Sequence, residues 1–414
     1  MRRRLPSVLR ERDYTRLLGS GISYGLGREM AFVAVGWQVY DISRNPFHLG
    51  LIGLAEFLPL PLLALPAGAL ADRLSRKLVY LWSLLVDAAI TALLIVVSVS
   101  GADSLWPFLA LSFASGCSAA IANPAVRSMT PTLVPLELLT SALALRSTFF
   151  QASVVVGPAI GGLLFAVGPE VVYGTAVGLM LAAAVLVLGI RPRTVEQAPL
   201  EIGGSRLGSL LAGLRFVRRT PVLLGAISLD LVAVLFGGAV ALLPVFARDI
   251  LDAGPVGLGV LRSAPALGAM AAGIMLTRRP LQGAAGRKLL IVVGVFGASM
   301  VVFGLSRAFP LSFAALAVSG FADMISMNVR SMIAALATPD ALRGRVNAVE
   351  MVFISASNEL GAFESGAAAA LLGAVPAVVI GGSLTIAAAL LWPRLFPRMA
   401  RIDRLESLHP AGGT

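Results

Sequence analysis

The chain has 414 residues, of which 57% are hydrophobic and only 13% charged, and its formal net charge is +11. Soluble domains hold about 25% charged residues, so a water-soluble enzyme or binding domain is excluded, and the cation excess must be judged by where it falls. The single cysteine, Cys117, rules out an internal disulfide. His48 and His409 are the only histidines, and there is no HExxH, GxSxG, P-loop or paired-cysteine motif. No metal or other cofactor therefore has candidate ligands.

A bilayer core takes about 20 apolar residues per helix. The sequence offers twelve such runs, at 17–40, 48–71, 78–100, 105–126, 141–166, 172–190, 222–247, 256–277, 289–307, 311–334, 346–371 and 376–396. They predict an all-α protein with the lipid bilayer as its solvent. MRRRLPSVLRER, ahead of the first run, carries the charge of a signal peptide. That run is too long for one and lacks a small-residue cleavage site, so it is expected to be retained. With the N-terminus inside, 26 of the 33 Lys and Arg residues lie on the inner side, against Arg44, Arg248 and Arg307 outside. This bias predicts two cytoplasmic termini, and no nucleic-acid partner is needed to explain the charge.

The first run carries Arg28 and Glu29 with the aromatics Phe32, Trp37 and Tyr40, and the second carries Glu56 and Phe57. Asp87 lies in the third run, Arg146 in the fifth, Asp230 in the seventh, Arg262 in the eighth, and Asp323 and Arg330 in the tenth. The eleventh holds Glu350, Asn358, Glu359 and Glu364. A charge at mid-bilayer costs about 2.5–3.5 kcal/mol even on the lenient insertion scale, so each of these is a functional candidate. At about 100° per residue, Glu364 lies about 140° from Glu359 and about 40° from Glu350, so Glu359 and Glu364 do not form a dyad. Glu359 sits near mid-membrane and Glu364 nearer the outside, while Asn358, Gly361 and Ser365 make a small polar stripe suited to helix packing.

The two halves repeat. VRSM occurs at 126–129 and 329–332, AGALADR (67–73) answers AGIMLTR (272–278), and LLG recurs at 17–19 and 223–225. Both of the runs carrying LLG end in Asp-Ile, at Asp41 and Asp249. Matches in the same order at near-constant offset mark a duplicated six-helix unit. The predicted division is 1–190, a linker at 191–221, and 222–414. In the linker, Leu207, Leu210, Leu211, Leu214 and Val217 share one helical face, flanked by Arg206, Arg215, Arg218 and Arg219, which predicts a basic amphipathic helix on an anionic leaflet.

GALADRLSRK (68–77) resembles the major facilitator signature G-x-x-x-D-R-x-G-R-K, with Ser75 where the family has glycine. The resemblance implies an inner gate. It involves Gly68, Asp72, Arg73, Arg76 and Lys77, with Arg127, Arg343 and Arg345 as candidate partners of Asp72. SVVVGPAIGG (153–162) is similar to the family's antiporter motif, with Ser153 for its first glycine. Pro158 removes a helix hydrogen bond, and Gly157, Gly161 and Gly162 leave a groove for a partner helix. A plain packing kink is the alternative.

More broadly, RDYTRLLGSGISYGLGREMAFVAVGWQVYDISRNPFHLGLIG and TPDALRGRVNA (338–348) are similar to the drug:proton antiporter branch that holds enterobactin exporters and macrolide efflux proteins. In the family, helices one, four, seven and ten line the cavity, and helices two, five, eight and eleven form the seam between halves. The resemblance therefore implies that Glu29, Asp230 and Asp323 face the cavity and Glu56 and Glu359 the seam, all five as proton-coupling candidates. Phe32, Trp37, Tyr40, Phe57 and Arg330 become cavity candidates, although core packing explains the aromatics equally well, and an ion pair with Arg146 or Arg262 would equally explain any one acid.

The implied protein is a monomeric secondary transporter of the bacterial inner membrane, working by alternating access. It would export small amphipathic molecules such as drugs or siderophores, using the proton gradient as its energy source. A lipid or lysolipid transporter on the same fold and a non-transporting membrane receptor or assembly partner remain as alternatives.

Overall fold

A computed structural model describes residues 7–63, 74–101, 104–191, 206–279 and 283–403, and these are helical throughout their ordered elements, without a strand. The predicted apolar runs appear as α1 (Arg12–Ser43), α2 (Pro46–Leu63), α3 (Arg76–Val99), α4 (Trp106–Leu133), α5 (Leu136–Phe165) and α6 (Pro169–Leu188). The second set is α7 (Pro221–Ile250), α8 (Gly254–Arg278), α9 (Ala285–Leu305), α10 (Phe309–Ala337), α11 (Asp340–Leu372) and α12 (Ala374–Leu395). Ten of these are long and apolar enough to cross a bilayer. The other two, α1 and α11, span 32 and 33 residues and carry more ionisable side chains. Large apolar side chains stand exposed along the helices, among them Trp82 at 65%, Leu163 at 59% and Leu371 at 85%. Such surface belongs in hydrocarbon, where a helix satisfies its own backbone. The chain is a multi-pass membrane protein, all-α among the described residues.

Several helices outrun their apolar stretches because polar ends continue the backbone ladder. Asn45 caps α2, its side chain accepting from the Phe47 amide at 3.0 Å, and Pro46 fills the first helical position, where no donor is needed. A turn interrupts α2 at Leu58, where Pro59 and Pro61 remove two donors. The sequence predicts an unbroken seventh helix, and here the structure differs. The α-helix stops at Gly237, passes through a 3-10 turn at Ala239–Leu242, and ends in a π turn at Phe246–Ile250. The Gly237–Gly238 pair weakens the ladder and Pro244 cannot donate to it.

The chain divides into two compact units, Met1–Leu200 with Ala253–Ser263, and Glu201–Asp252 with Ala264–Thr414. In the first, α1 packs on α5 and α6, and α3 on α4 and α6. Tyr14, Leu17, Leu84, Met129 and Val187 are among its buried core. In the second, α9 packs on α10 and α12, and α7 on α11 and α12, around Leu223, Leu229, Leu289, Val329 and Ile333.

The linker helix, Arg206–Arg219, docks on α11. Its Gly213 meets the Arg345 carbonyl and Val349 so closely that a Cβ would clash, and Val217 and Leu214 join the second unit's core. Two of the residues expected to face the leaflet are thus turned into protein, because apolar side chains beside a packed helix find a drier partner there. Leu211, Arg215, Arg218 and Arg219 remain exposed, while the side chains of Leu207 and Leu210 lie outside the described residues.

Candidate functional site

Among the described residues, an arginine–carboxylate pair joins two helices in each unit. In the second, Arg330 on α10 pairs with Asp230 on α7, the two side chains being only 6% and 8% exposed. Asp323 lies seven residues before Arg330, hence on the same face of α10, and is exposed. Both Asp323 and Glu350 of α11 act electrostatically on this pair. The Arg330 Nε has no hydrogen-bond partner. Three carboxylates thus surround one guanidinium. At nine residues' distance Glu359 faces about 180° away from Glu350.

In the first unit, Arg28 on α1 pairs with Glu56 on α2. The Tyr24 hydroxyl, one turn earlier, donates to Asp87 on α3 at 2.8 Å. Glu56 and Asp230, both expected as coupling acids, are therefore ion-paired, and their partners are Arg28 and Arg330 rather than Arg146 or Arg262. Arg146 instead donates to Thr130 at 3.3 Å.

Sequence reasoning named the acids but missed Tyr24, because a neutral hydroxyl carries no signal of its own, and it did not place Glu350 with the coupling acids. The VRSM repeat placed Arg127 and Arg330 at equivalent positions, yet Arg127 is exposed and Arg330 buried.

The glycine motif of α5 serves helix approach. A Cβ on Gly157 would meet Cβ of Glu29 at 2.6 Å, and one on Gly161 would meet Cα of Met30 at 2.9 Å. Gly162 packs against Pro255 and Gly259 of α8, within the segment that belongs to the first unit. Pro158 is buried. Glu29 is half-buried along this seam. The small stripe of α11 behaves alike. Gly361 lies against Val234 and Leu235, and the Ser365 hydroxyl donates to the Gly238 carbonyl at the break of α7 at 3.3 Å. Asn358 is exposed.

Of the aromatic candidates, Trp37 and Tyr40 are buried, and Trp37 lies beside Phe165 with ring centroids 6.3 Å apart. Both belong to the buried core of the first unit. Phe32 and Phe57 are half-buried, and the Arg262 guanidinium stands 4.1 Å above the Phe32 ring.

Gly68, Asp72 and Arg73 of the expected gate lie outside the described residues. Arg76 donates to the Ser128 carbonyl at 3.2 Å. Lys77 donates to the carbonyls of Leu188 and Ile190 at 2.8 and 2.7 Å, satisfying the open end of α6 where a cation suits the helix dipole. Arg343 pairs with Asp340 of its own helix at 2.7 Å, and Arg345 is exposed.

Residues 8–410 match the model of a family described as transmembrane secretion effectors. The enterobactin exporter EntS of Shigella boydii serotype 18 and that of Escherichia coli O139:H28 are each 30% identical over 330 residues, covering 76% of this chain and 75% of the relative. Among solved structures, a bacterial homologue of the human lysosomal transporter Spinster, inward-facing and unoccupied, superposes with a TM-score of 0.73 at 16% identity, over 94% of this chain and 98% of the other. A bacterial homologue of the iron transporter ferroportin gives 0.68 at 17% identity, over 96% and 100%. At such identities these structures speak to the fold alone, and that fold is the twelve-helix transporter of the major facilitator type.

Proposed function

Because the chain belongs to the transmembrane secretion effectors, a family of major facilitator transporters and not of enzymes, we propose that it exports a small amphipathic molecule in exchange for protons. The observation that carries this reading is the Asp230–Arg330 pair with Asp323 and Glu350 around it. One guanidinium compensates one of three carboxylates. The remaining charge is expensive in a bundle, and a proton is the smallest neutralising partner. Alternating access would let the cluster load a proton from one side and release it to the other, with substrate moving in the opposite sense.

For the substrate, the curated relatives named as enterobactin exporters favour a siderophore-type molecule. Half-buried Phe32 and Phe57, with the Arg262 cation over Phe32, offer an aromatic and cationic surface to such a ligand.

Proteoliposomes test the reading with enterobactin as the probe and ethidium as a second. Accumulation should follow an imposed pH gradient and collapse with a protonophore, and Asp230→Asn should abolish uphill movement. Transport that ignores the gradient and requires ATP overturns it.

A further inference from the structure

The first unit holds a carboxyl that neither the transport reading nor any relative's name accounts for. Asp87 is the twelfth of the 24 residues of α3, which places it about 17 Å from either helix end at 1.5 Å per residue. It is 3% exposed. Its Oδ2 accepts from the Tyr24 hydroxyl at 2.8 Å, whereas its buried Oδ1 has no hydrogen-bond partner. A carboxylate in hydrocarbon with one oxygen unsatisfied is a costly group to keep charged, and no cation is paired with it.

Its polar surroundings run mainly along α1 and α3, with the Ser118 hydroxyl of α4 also acting on the carboxyl. Ser20, Tyr24 and Arg28 recur every four residues on α1 and so share one face. Tyr80 and Asp87 recur at seven on α3. Ser20 donates to the Tyr80 hydroxyl at 3.2 Å, Tyr24 to Asp87, and Arg28 is held by Glu56. From α4 comes Ser118, whose hydroxyl donates to the Ser83 carbonyl at 3.3 Å, with Cys117 as its neighbour. From α6 comes Met180, which faces Thr91. At this depth α6 is apolar, reading AVGLMLAAA at 176–184. The charged and titratable groups facing Asp87 are therefore Tyr24, Tyr80, Arg28 and Glu56. Two or three oxygens beside an arginine do not make a cage for a metal cation, which takes about six.

We propose that Asp87, held by Tyr24, is a second proton-binding site of this transporter, separate from the Arg330 cluster of the other unit. The carboxyl binds the proton on Oδ1, while Tyr24 holds Oδ2 and fixes the rotamer. Release returns the charge next to Arg28, which then has two acids to serve. The site deepens the proton-coupled reading, and it would give the cycle one protonatable locus in each half.

The test is an infrared pH titration of the purified full-length protein without substrate, following the carbonyl stretch of protonated carboxyl groups. In the wild type a band should rise and fall with pH. Asp87→Asn should remove one carboxyl's share of it, and Asp230→Asn should leave that share in place. Tyr24→Phe should move the band, since its donor touches the carboxyl directly. A titrating band that is lost in Asp230→Asn and intact in Asp87→Asn overturns the second site while leaving the Arg330 cluster standing. The reverse pattern keeps the second site even if the cluster fails. A band that answers to Na+ replacing choline at fixed pH would make the ligand sodium and overturn the proposal. Should Asp87→Asn fail to fold, an unchanged band in Tyr24→Phe overturns it.

Discussion

Breaking the Asp230–Arg330 pair from either side should have unequal consequences, and the structure sets the inequality. Removing one partner of a buried ion pair costs about 3–5 kcal/mol, because the survivor is left charged and unpaired. With side-chain exposures of 6% and 8%, solvent screening removes little of that. Arg330→Gln strands Asp230 with Asp323 and Glu350 nearby and should lose the upper end, about 4–5 kcal/mol. Asp230→Asn leaves Arg330 with those two acids in electrostatic range, so the loss should be roughly half as large, about 2 kcal/mol. The double variant Asp230→Leu/Arg330→Met removes both charges and should recover most of the stability while losing gradient-driven transport. Thermal unfolding of the purified protein reads this directly. For a unit of this size 1 kcal/mol moves the midpoint by about 2–4 °C. Equal shifts for the two single variants, or a double variant less stable than both, would refute the reasoning.

Further expectations follow from single contacts. Gly268 approaches the Ala317 backbone so closely that an added Cβ has no room, while Gly21 has nothing within 4 Å. Gly268→Ala should therefore lose about 3 kcal/mol or more, and Gly21→Ala should gain about 0.5–1 kcal/mol, both read as unfolding midpoints. Asn45→Ala removes the cap of α2 and should cost about 1 kcal/mol by the same measurement, with Asn45→Ser retaining most of it. On α11, Glu350→Gln should reduce uphill export by about tenfold or more and Glu364→Gln by no more than about twofold, since of these two Glu350 is the one that interacts with Arg330. For a factor of ten the interaction need be worth only about 1.4 kcal/mol. Glu359→Gln separates the earlier expectation from this one. Normal export by that variant leaves coupling with the Arg330 cluster, and its loss brings α11's opposite face into the mechanism.

The fold was legible because hydrocarbon leaves so few choices. A run of about 20 apolar residues can cross only as a helix, so counting runs amounted to counting elements. Where the structure departs, the local signals were present and were outweighed by hydropathy. Gly237, Gly238 and Pro244 announce the break in α7, yet the segment stays apolar throughout. The linker helix shows the opposite failure, since an amphipathic face does not say whether it meets lipid or protein, and Gly213 opposite the Arg345 carbonyl decided for protein.

The site was legible in its residues and not in its pairings. Arg28 and Glu56 are 28 positions apart, Tyr24 and Asp87 are 63 apart, and Asp230 finds Arg330 on a helix three connections further on. Which helices touch is set by the small-residue seams, and of those the α5 motif, whose Gly157 and Gly161 meet α1, and the α11 stripe could be read in advance, though not which helix each would meet. The repeat misleads in the same way. Two copies of VRSM fix the position of an arginine along α4 and α10, but its charge acquires meaning only from the neighbouring helix. In the second unit that neighbour supplies Asp230, and Arg330 is drawn inside. In the first, the arginine that takes a carboxylate is Arg28, on α1, leaving Arg127 outside. The two halves therefore share a backbone plan while holding their charges on different helices. Such an asymmetry allows the two carboxyl loci to titrate against different partners, which a strict duplicate would not permit.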